Sequence, residues 1–313
     1  MSDLFTATTA TQVEEALARG EDIEGEDEGF AFTPLRSACK RGELEVVECL
    51  LNHGADPNHC PVFSSFPIQV SAEEGHAALV ERLMRAGANI NDNQGGGYAP
   101  LVVASREGHV DVVDCLLSLG ADTEARDLFE RTALMWASEN GMIDVVDRLL
   151  AARANVNALS QFNGNTALMF AALGGHVPII DRLVVHGADF NHQNERGENA
   201  LMWASMTGEV EAVGRLLSLG CDVNVQGEDG WTALMIACSG GKIDIVRLLL
   251  DHEADPLLCT KNGKRAIDLI ASSPEIQTLL NGLILLSFHH HHHHVPCLRI
   301  DPKPQTDLHC HHH

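Results

Sequence analysis

Positive charge is scarce in this chain. Lys and Arg together number 21 against 44 Asp and Glu, a formal net charge of −23 with an isoelectric point near 5.0. A nucleic-acid duplex or an anionic lipid surface would be repelled, so neither is expected as a partner. Aromatic residues make up only 4% of the chain, with a single Tyr. Long apolar runs are also missing: the stretch from Leu283 to Phe288 is far too short to cross a bilayer, which takes about 20 residues. Met1 to Gly20 lacks the basic start and apolar centre of a secretory signal, so an intracellular protein, cytoplasmic or nuclear, is expected. None of the nine Cys forms a CxxC pair. Reduced, packed thiols are therefore expected, not a disulfide framework. Catalytic signatures are absent too: HExxH, a phosphate loop ending in Gly-Lys-Ser/Thr, and Gly-x-Ser-x-Gly. Gly95, Gly96 and Gly97 lack the strand-then-helix setting of a phosphate cradle. Neither catalysis nor a cofactor is expected.

What the chain does have is a recurring phrase. It reads Thr33-Pro34-Leu35, Phe66-Pro67-Ile68, Ala99-Pro100-Leu101, Thr132-Ala133-Leu134, Thr166-Ala167-Leu168, Asn199-Ala200-Leu201, Thr232-Ala233-Leu234 and Arg265-Ala266-Ile267. The third residues are spaced by 33, 33, 33, 34, 33, 33 and 33. A fixed period of this length means stacked supersecondary units, each unable to bury its apolar face alone. It also overrides the expectation of two globular domains for a chain of 313 residues.

Residues 127–159 show the content of one unit. Thr132 precedes an apolar run beginning at Ala133, which is a helix-start signal because the hydroxyl can accept from a free backbone N–H. That first helix is expected to end at Gly141. A second follows, with Ile143, Val146, Leu149 and Leu150 on one face at helical period. Ala154-Asn155-Val156-Asn157 is then a polar, turn-rich loop. Glycines recur after the first helices, from Gly42 to Gly241, and after most second helices. They are suited to the left-handed backbone that closes a helix. Arg153 and Glu253 replace that Gly in two units, so those ends are expected to be strained or differently closed. Unit three, with Pro61, Pro67 and Ser71 in unusual places, is expected to be the weakest link.

Thr33-Pro34-Leu35 with Ala38, the break near Gly42, and Gly54-Ala55-Asp56-Pro57-Asn58 resemble the ankyrin repeat. The resemblance runs over about residues 2–281 and recurs in eight successive units. It implies an all-α repeat solenoid of helix-turn-helix units with β-hairpin-like finger loops. On this reading residues 1–27 form a degenerate N-terminal cap, 28–282 the array with its C-terminal cap, and 283–313 a disordered His/Cys-rich tail. One departure stands out. The family's motif His is absent, and Met135, Met169, Met202 and Met235 occupy that position in four successive units. They are expected to be core filler, since unbranched thioethers fit irregular gaps. Trp136, Phe170, Trp203 and Ile236, each one residue further on, are likewise expected in the core. His76, His109 and His176 follow helix-ending glycines, and a hydrogen-bonded structural role is expected for them.

The resemblance also implies that finger loops project and first helices line a concave groove. Mapped by position, the partner-binding candidates are Tyr98, Arg106, Leu128, Phe129, Arg131, Glu139, Phe162, Arg196, Met206, Asp229 and Trp231. Phe63, Asn140, Leu173 and Glu195 are further groove candidates on the same mapping. Aromatic and Arg side chains are enriched at interface hot spots, so the groove is expected to centre on Tyr98, Phe129, Phe162 and Trp231. Alternatively, such rings fold back over their own loops.

Residues 1–32 carry nine acids and one Arg, a segment that is either a solvated entrance or a docking patch for a basic partner. Ten of the eighteen His lie in the tail, including the unbroken run from His289 to His294. Such tracts bind metal loosely, and a six-His run also resembles a purification tag. Three functions stay open: a non-enzymatic, monomeric scaffold or adaptor that grips a protein partner, a metal-binding protein acting through its tail, and the regulatory array of an enzyme complex.

Overall fold

A computed structural model of the protein describes residues 3–29, 32–59, 65–91 and 99–290, with side chains as far as 287. Phe63, Tyr98, the Gly95 to Gly97 run and the tail beyond His290 lie outside the described residues. The fold is an all-α repeat solenoid, with 16 α-helices and no strand among the described residues. Contacts divide the chain into two compact units, Met1–Glu195 and Arg196–His313.

The N-terminal unit opens with a 3-10 turn, Asp3–Phe5, and helix α1 (Ala10–Ala18). Helix pairs follow: α2 (Pro34–Arg41) with α3 (Leu44–Asn52), α4 (Pro67–Glu73) with α5 (Ala77–Arg85), and α6 (Pro100–Glu107) with α7 (Val110–Ser118). The last two pairs of this unit are α8 (Ala133–Glu139) with α9 (Ile143–Ala151), and α10 (Ala167–Gly174) with α11 (Val177–Val185). First helices stack α2, α4, α6, α8, α10, and second helices stack α1, α3, α5, α7, α9, α11, giving two layers. The C-terminal unit holds α12 (Ala200–Thr207) with α13 (Val210–Ser218) and α14 (Ala233–Ser239) with α15 (Ile243–Asp251). It closes with a 3-10 turn, Ala266–Leu269, and α16 (Pro274–His290).

The recurring phrase is a helix cap. Thr132 and Thr166 Oγ1 accept from the backbone N–H of Met135 and Met169 at 3.4 and 3.3 Å. Asn199 Oδ1 does the same for Met202 at 3.0 Å. Each satisfies one donor that the first turn leaves open, worth about 1 kcal/mol. Unit three has no hydroxyl at Phe66. There the Gln69 side chain reaches back and accepts from Phe66 N–H at 2.9 Å, while Pro67 occupies the first helical position, where a missing N–H does no harm.

The Met column is buried, as its chemistry suggests, and so are Leu35, Ile68, Leu101, Leu134 and Leu168. In α9 the buried face is Val145, Val146, Leu149 and Leu150, and Ile143 is only half-buried, a rotation of the face anticipated from periodicity. Trp136, Trp203 and Ile236 are half-buried, not core; Phe170 alone of that column is buried. A first helix of seven or eight residues buries its Leu and Met, and the next position turns out toward the open side.

Repeat-to-repeat locks explain several fixed residues. His109 and His176 Nε2 lie 2.7 Å from the carbonyl oxygens of Glu73 and Glu139, each in the preceding unit. The His176 ring passes so close to Gly141 that an added Cβ would sit 2.7 Å from it, and Gly141 has φ of 74°. Arg153 and Glu253 adopt the same left-handed backbone, with φ of 64° and 67°, so the closure is preserved at the expense of strain. In the loops Asn58, Asn91 and Asn157 accept from the backbone N–H of Asn89, Asp122 and Asp189 at 2.9, 3.0 and 2.9 Å. Glu124 substitutes for Asn in the same ladder, accepting from Asn155 N–H at 2.8 Å.

One boundary is corrected. The boundary placed after residue 282 falls inside α16, which runs on through Gly282 to His290. The Leu- and Ile-rich segment there has enough helix propensity to absorb one glycine. Cys39, Cys49, Cys115, Cys221 and Cys238 are free thiols, as expected. Burial pushes the Cys39 and Cys238 thiols up to about 12.

Candidate protein-binding surface

In the N-terminal unit the finger between α7 and α8 is organised by one buried carboxylate. Asp127 Oδ1 accepts from the backbone N–H of Phe129 and Arg131 at 3.0 and 3.1 Å, and Oδ2 accepts from Trp136 Nε1 at 2.5 Å. Backbone bonding from Asp127 N–H to the Arg131 carbonyl closes the turn at 3.1 Å. The only bridge among the described residues, Arg126 with Thr132, lies here, so the fingers are tight turns with almost no strand character. In the next finger Ser160 takes the corresponding role: its Oγ accepts from Asn165 N–H at 2.9 Å.

Arg131 is not a free groove residue. Its guanidinium lies 3.8 Å from the Trp136 ring centroid and 3.9 Å from that of Phe170, and it pairs with the Glu139 carboxylate. A cation between two ring faces with a carboxylate at its end is held by quadrupole, charge and shape together. Arg131 and Glu139 are therefore committed to each other, and they fasten α8 to α10. Arg106, 5.8 Å from the Trp136 centroid and paired with Glu107 at 3.1 Å, borders the same indole. Phe129 meets Trp136 edge-on at 6.2 Å and 71°, yet is 55% exposed.

The free surface lies at the tips. Leu128, Phe129, Leu159 and Phe162 are 65, 55, 45 and 63% exposed. Arg126 Nη1 donates to the carbonyls of Glu130 and Leu159, both at 2.8 Å, tying these two adjacent fingers side by side. The exposed apolar side chains therefore stand on two adjacent, hydrogen-bonded fingers.

The C-terminal unit presents a different site. Trp231, Met202, Met206 and Ile236 form the apolar lining of an open cleft of about 540 Å³, rimmed by Arg196, Glu198, Glu228, Asp229 and Lys261. Its finger is anchored on both sides: Glu228 N–H donates to the Arg196 carbonyl at 2.7 Å, and Lys261 N–H to the Asp229 carbonyl at 3.0 Å. Asp229 Oδ1 accepts from Trp231 N–H at 3.1 Å. Of the residues singled out from sequence, Arg196, Met206, Asp229 and Trp231 meet in this cleft; Arg106, Leu128, Phe129, Arg131, Glu139 and Phe162 belong to the other unit. Tyr98 lies outside the described residues.

Asp127, Trp136, Met202 and Lys261 were missed as residues that build these two sites. A short acceptor side chain five or six residues before the cap, as at Asp27, Asp127, Ser160 and Thr260, was the available signal.

Tandem helix pairs closed by tight turns, with exposed apolar side chains at the tips, define a helical repeat protein. A family model for ankyrin repeats in groups of three copies matches residues 5–94, 37–127, 68–160, 134–227 and 211–287, and the chain belongs to the ankyrin repeat family. Among solved structures it is similar to the crystal structure of the human ASB11 ankyrin repeat domain, at 25% identity and a TM-score of 0.64, covering 69% of this chain and 97% of that one. No curated protein matches the chain. Ankyrin repeats generally mediate protein–protein interaction, and the fold is typically non-enzymatic. No helix among the described residues is long and apolar enough to cross a membrane.

Proposed function

We propose that this protein is a non-enzymatic, intracellular scaffold or adaptor that binds a protein partner through its finger tips. The observation that carries the reading is the exposure of Leu128, Phe129, Leu159 and Phe162, four large apolar side chains on two adjacent fingers. Exposed apolar groups gathered in one place mark interaction surfaces, and rigid loops lower the ordering cost of binding. The net charge of −23 favours a partner with a basic surface. The Trp231 cleft supplies a second contact region within the C-terminal unit. A partner recovered by affinity capture should bind the wild-type chain saturably. Binding should be lost in Phe129→Ala combined with Trp231→Ala, with helicity retained. Equal binding by that double variant sinks the finger-tip reading. The association rate should fall steeply with added salt, and a salt-independent rate argues against a basic partner.

A further inference from the structure

The N-terminal unit contains a cluster unrelated to the finger surface. Glu14 on α1, with Cys49 and His53 at the end of α3, brings a carboxylate oxygen, a thiol sulfur and an imidazole nitrogen within 4.8 Å of one another. Cys49 and His53 are four residues apart, so both point from one face of α3, the spacing that lets a single helix supply two ligands. The third ligand comes from the helix packed beside it. Glu14 Oε1 and His53 Nε2 are 3.9 Å apart, and both side chains are exposed and free to adjust, whereas Cys49 is buried with its sulfur 3.7 Å from the Ala10 carbonyl.

From this arrangement we infer that Glu14, Cys49 and His53 bind a zinc ion that clips α1 to α3. Zinc takes this mixture of sulfur, nitrogen and oxygen, and tetrahedral bond lengths put neighbouring S and N ligands about 3.5 Å apart. Closing the cluster requires movements of about 1 Å in two exposed side chains. Burial, with the Glu14 and Glu45 carboxylates, raises the Cys49 thiol above its usual range. Binding therefore displaces the thiol proton to solvent, and the metal takes over its charge. Such a clip would add a metal-bridged link to the packing of α1 against α3.

The repeat supplies an internal control. Two units later Cys115 stands where Cys49 does, and Glu81 faces it from α5, but Leu119 occupies the place of His53. That site has two of the three ligands and should not bind.

Peptide-resolved hydrogen–deuterium exchange of the full chain, with and without zinc chloride, separates this site from the His-rich tail. At a zinc concentration ten times Kd, exchange in peptides spanning 10–18 and 44–53 should slow about tenfold. The effect should vanish in Cys49→Ser and in His53→Ala, the latter a change at an exposed position. Peptides spanning 110–119 should be unaffected by zinc in the wild type and slowed in Leu119→His combined with wild-type Cys115 and Glu81. Unchanged exchange at 10–18 and 44–53, or equal slowing in wild type and both variants, overturns the proposal.

Discussion

Trp136 and Trp231 are both half-buried indoles near the base of a finger, yet their surroundings differ in kind. Trp136 is consumed by its own unit: Asp127 takes its N–H, Arg131 covers one face at 3.8 Å, and Phe129 approaches it edge-on. Trp231 stands on a finger anchored by backbone bonds and by the Asp229 and Gln226 side chains, and its ring lines an open cleft with Met202, Met206 and Ile236. The same residue type is a structural clamp in one unit and a surface for contact in the other. What separates them is place in the repeat: Trp136 lies within α8, in reach of Asp127 and Arg131, whereas Trp231 directly precedes the Thr232 cap, where Arg131 stands in the other unit.

The largest effect that would test this contrast is on stability. Trp136→Ala should lower the unfolding free energy by about 3 kcal/mol, combining lost burial with loss of the cation–ring stack. Trp231→Ala should cost less than about 1 kcal/mol. Urea denaturation followed by far-ultraviolet circular dichroism ranks the two, and the reverse order breaks the comparison. Next in size is Arg131→Lys, which keeps the charge beside Glu139 but loses the planar group between two rings. It should destabilise by about 1–2 kcal/mol, nearly as much as Arg131→Ala. A lysine that restores full stability would mean that charge alone holds the clamp.

Smaller effects probe both units alike. Arg153→Gly and Glu253→Gly should each stabilise by about 0.5–1 kcal/mol, because glycine relieves a left-handed backbone while adding entropy to the unfolded chain. A loss of stability at either position would show that the side chain offsets its strain. Phe162→Ala, at a 63% exposed tip, should leave stability within about 0.5 kcal/mol. Cys39 and Cys238, with thiols pushed up to about 12, should resist iodoacetamide at neutral pH in the folded protein. Rapid labelling of either would show that its helix opens readily.

The architecture was legible because repetition averages over local ambiguity. Eight successive phrases, seven of them followed by a helix-ending glycine, mark the first helices even where Phe66 or Ala99 lacks a capping oxygen. The surface was less legible, because one-dimensional spacing cannot distinguish Met135, buried, from Trp136, which turns outward one residue later. Nor can it show that Arg131 and Glu139, eight residues apart, neutralise each other across a ring. Leu128, Phe129 and Phe162 were readable as finger-tip residues since loop position alone exposes them. The loop ladder of Asn58, Asn91 and Asn157 was visible as a period but not as hydrogen bonds, since its acceptors reach forward into the next unit.

The most direct test of the central claim is the affinity of a purified, captured partner for the wild-type chain and for Phe162→Ala, measured alongside their urea midpoints. The expected result is a Kd at least about 30-fold weaker for the variant, the mark of a hot spot worth about 2 kcal/mol, with the midpoint unmoved. An unchanged Kd would contradict the assignment of binding to the exposed fingers.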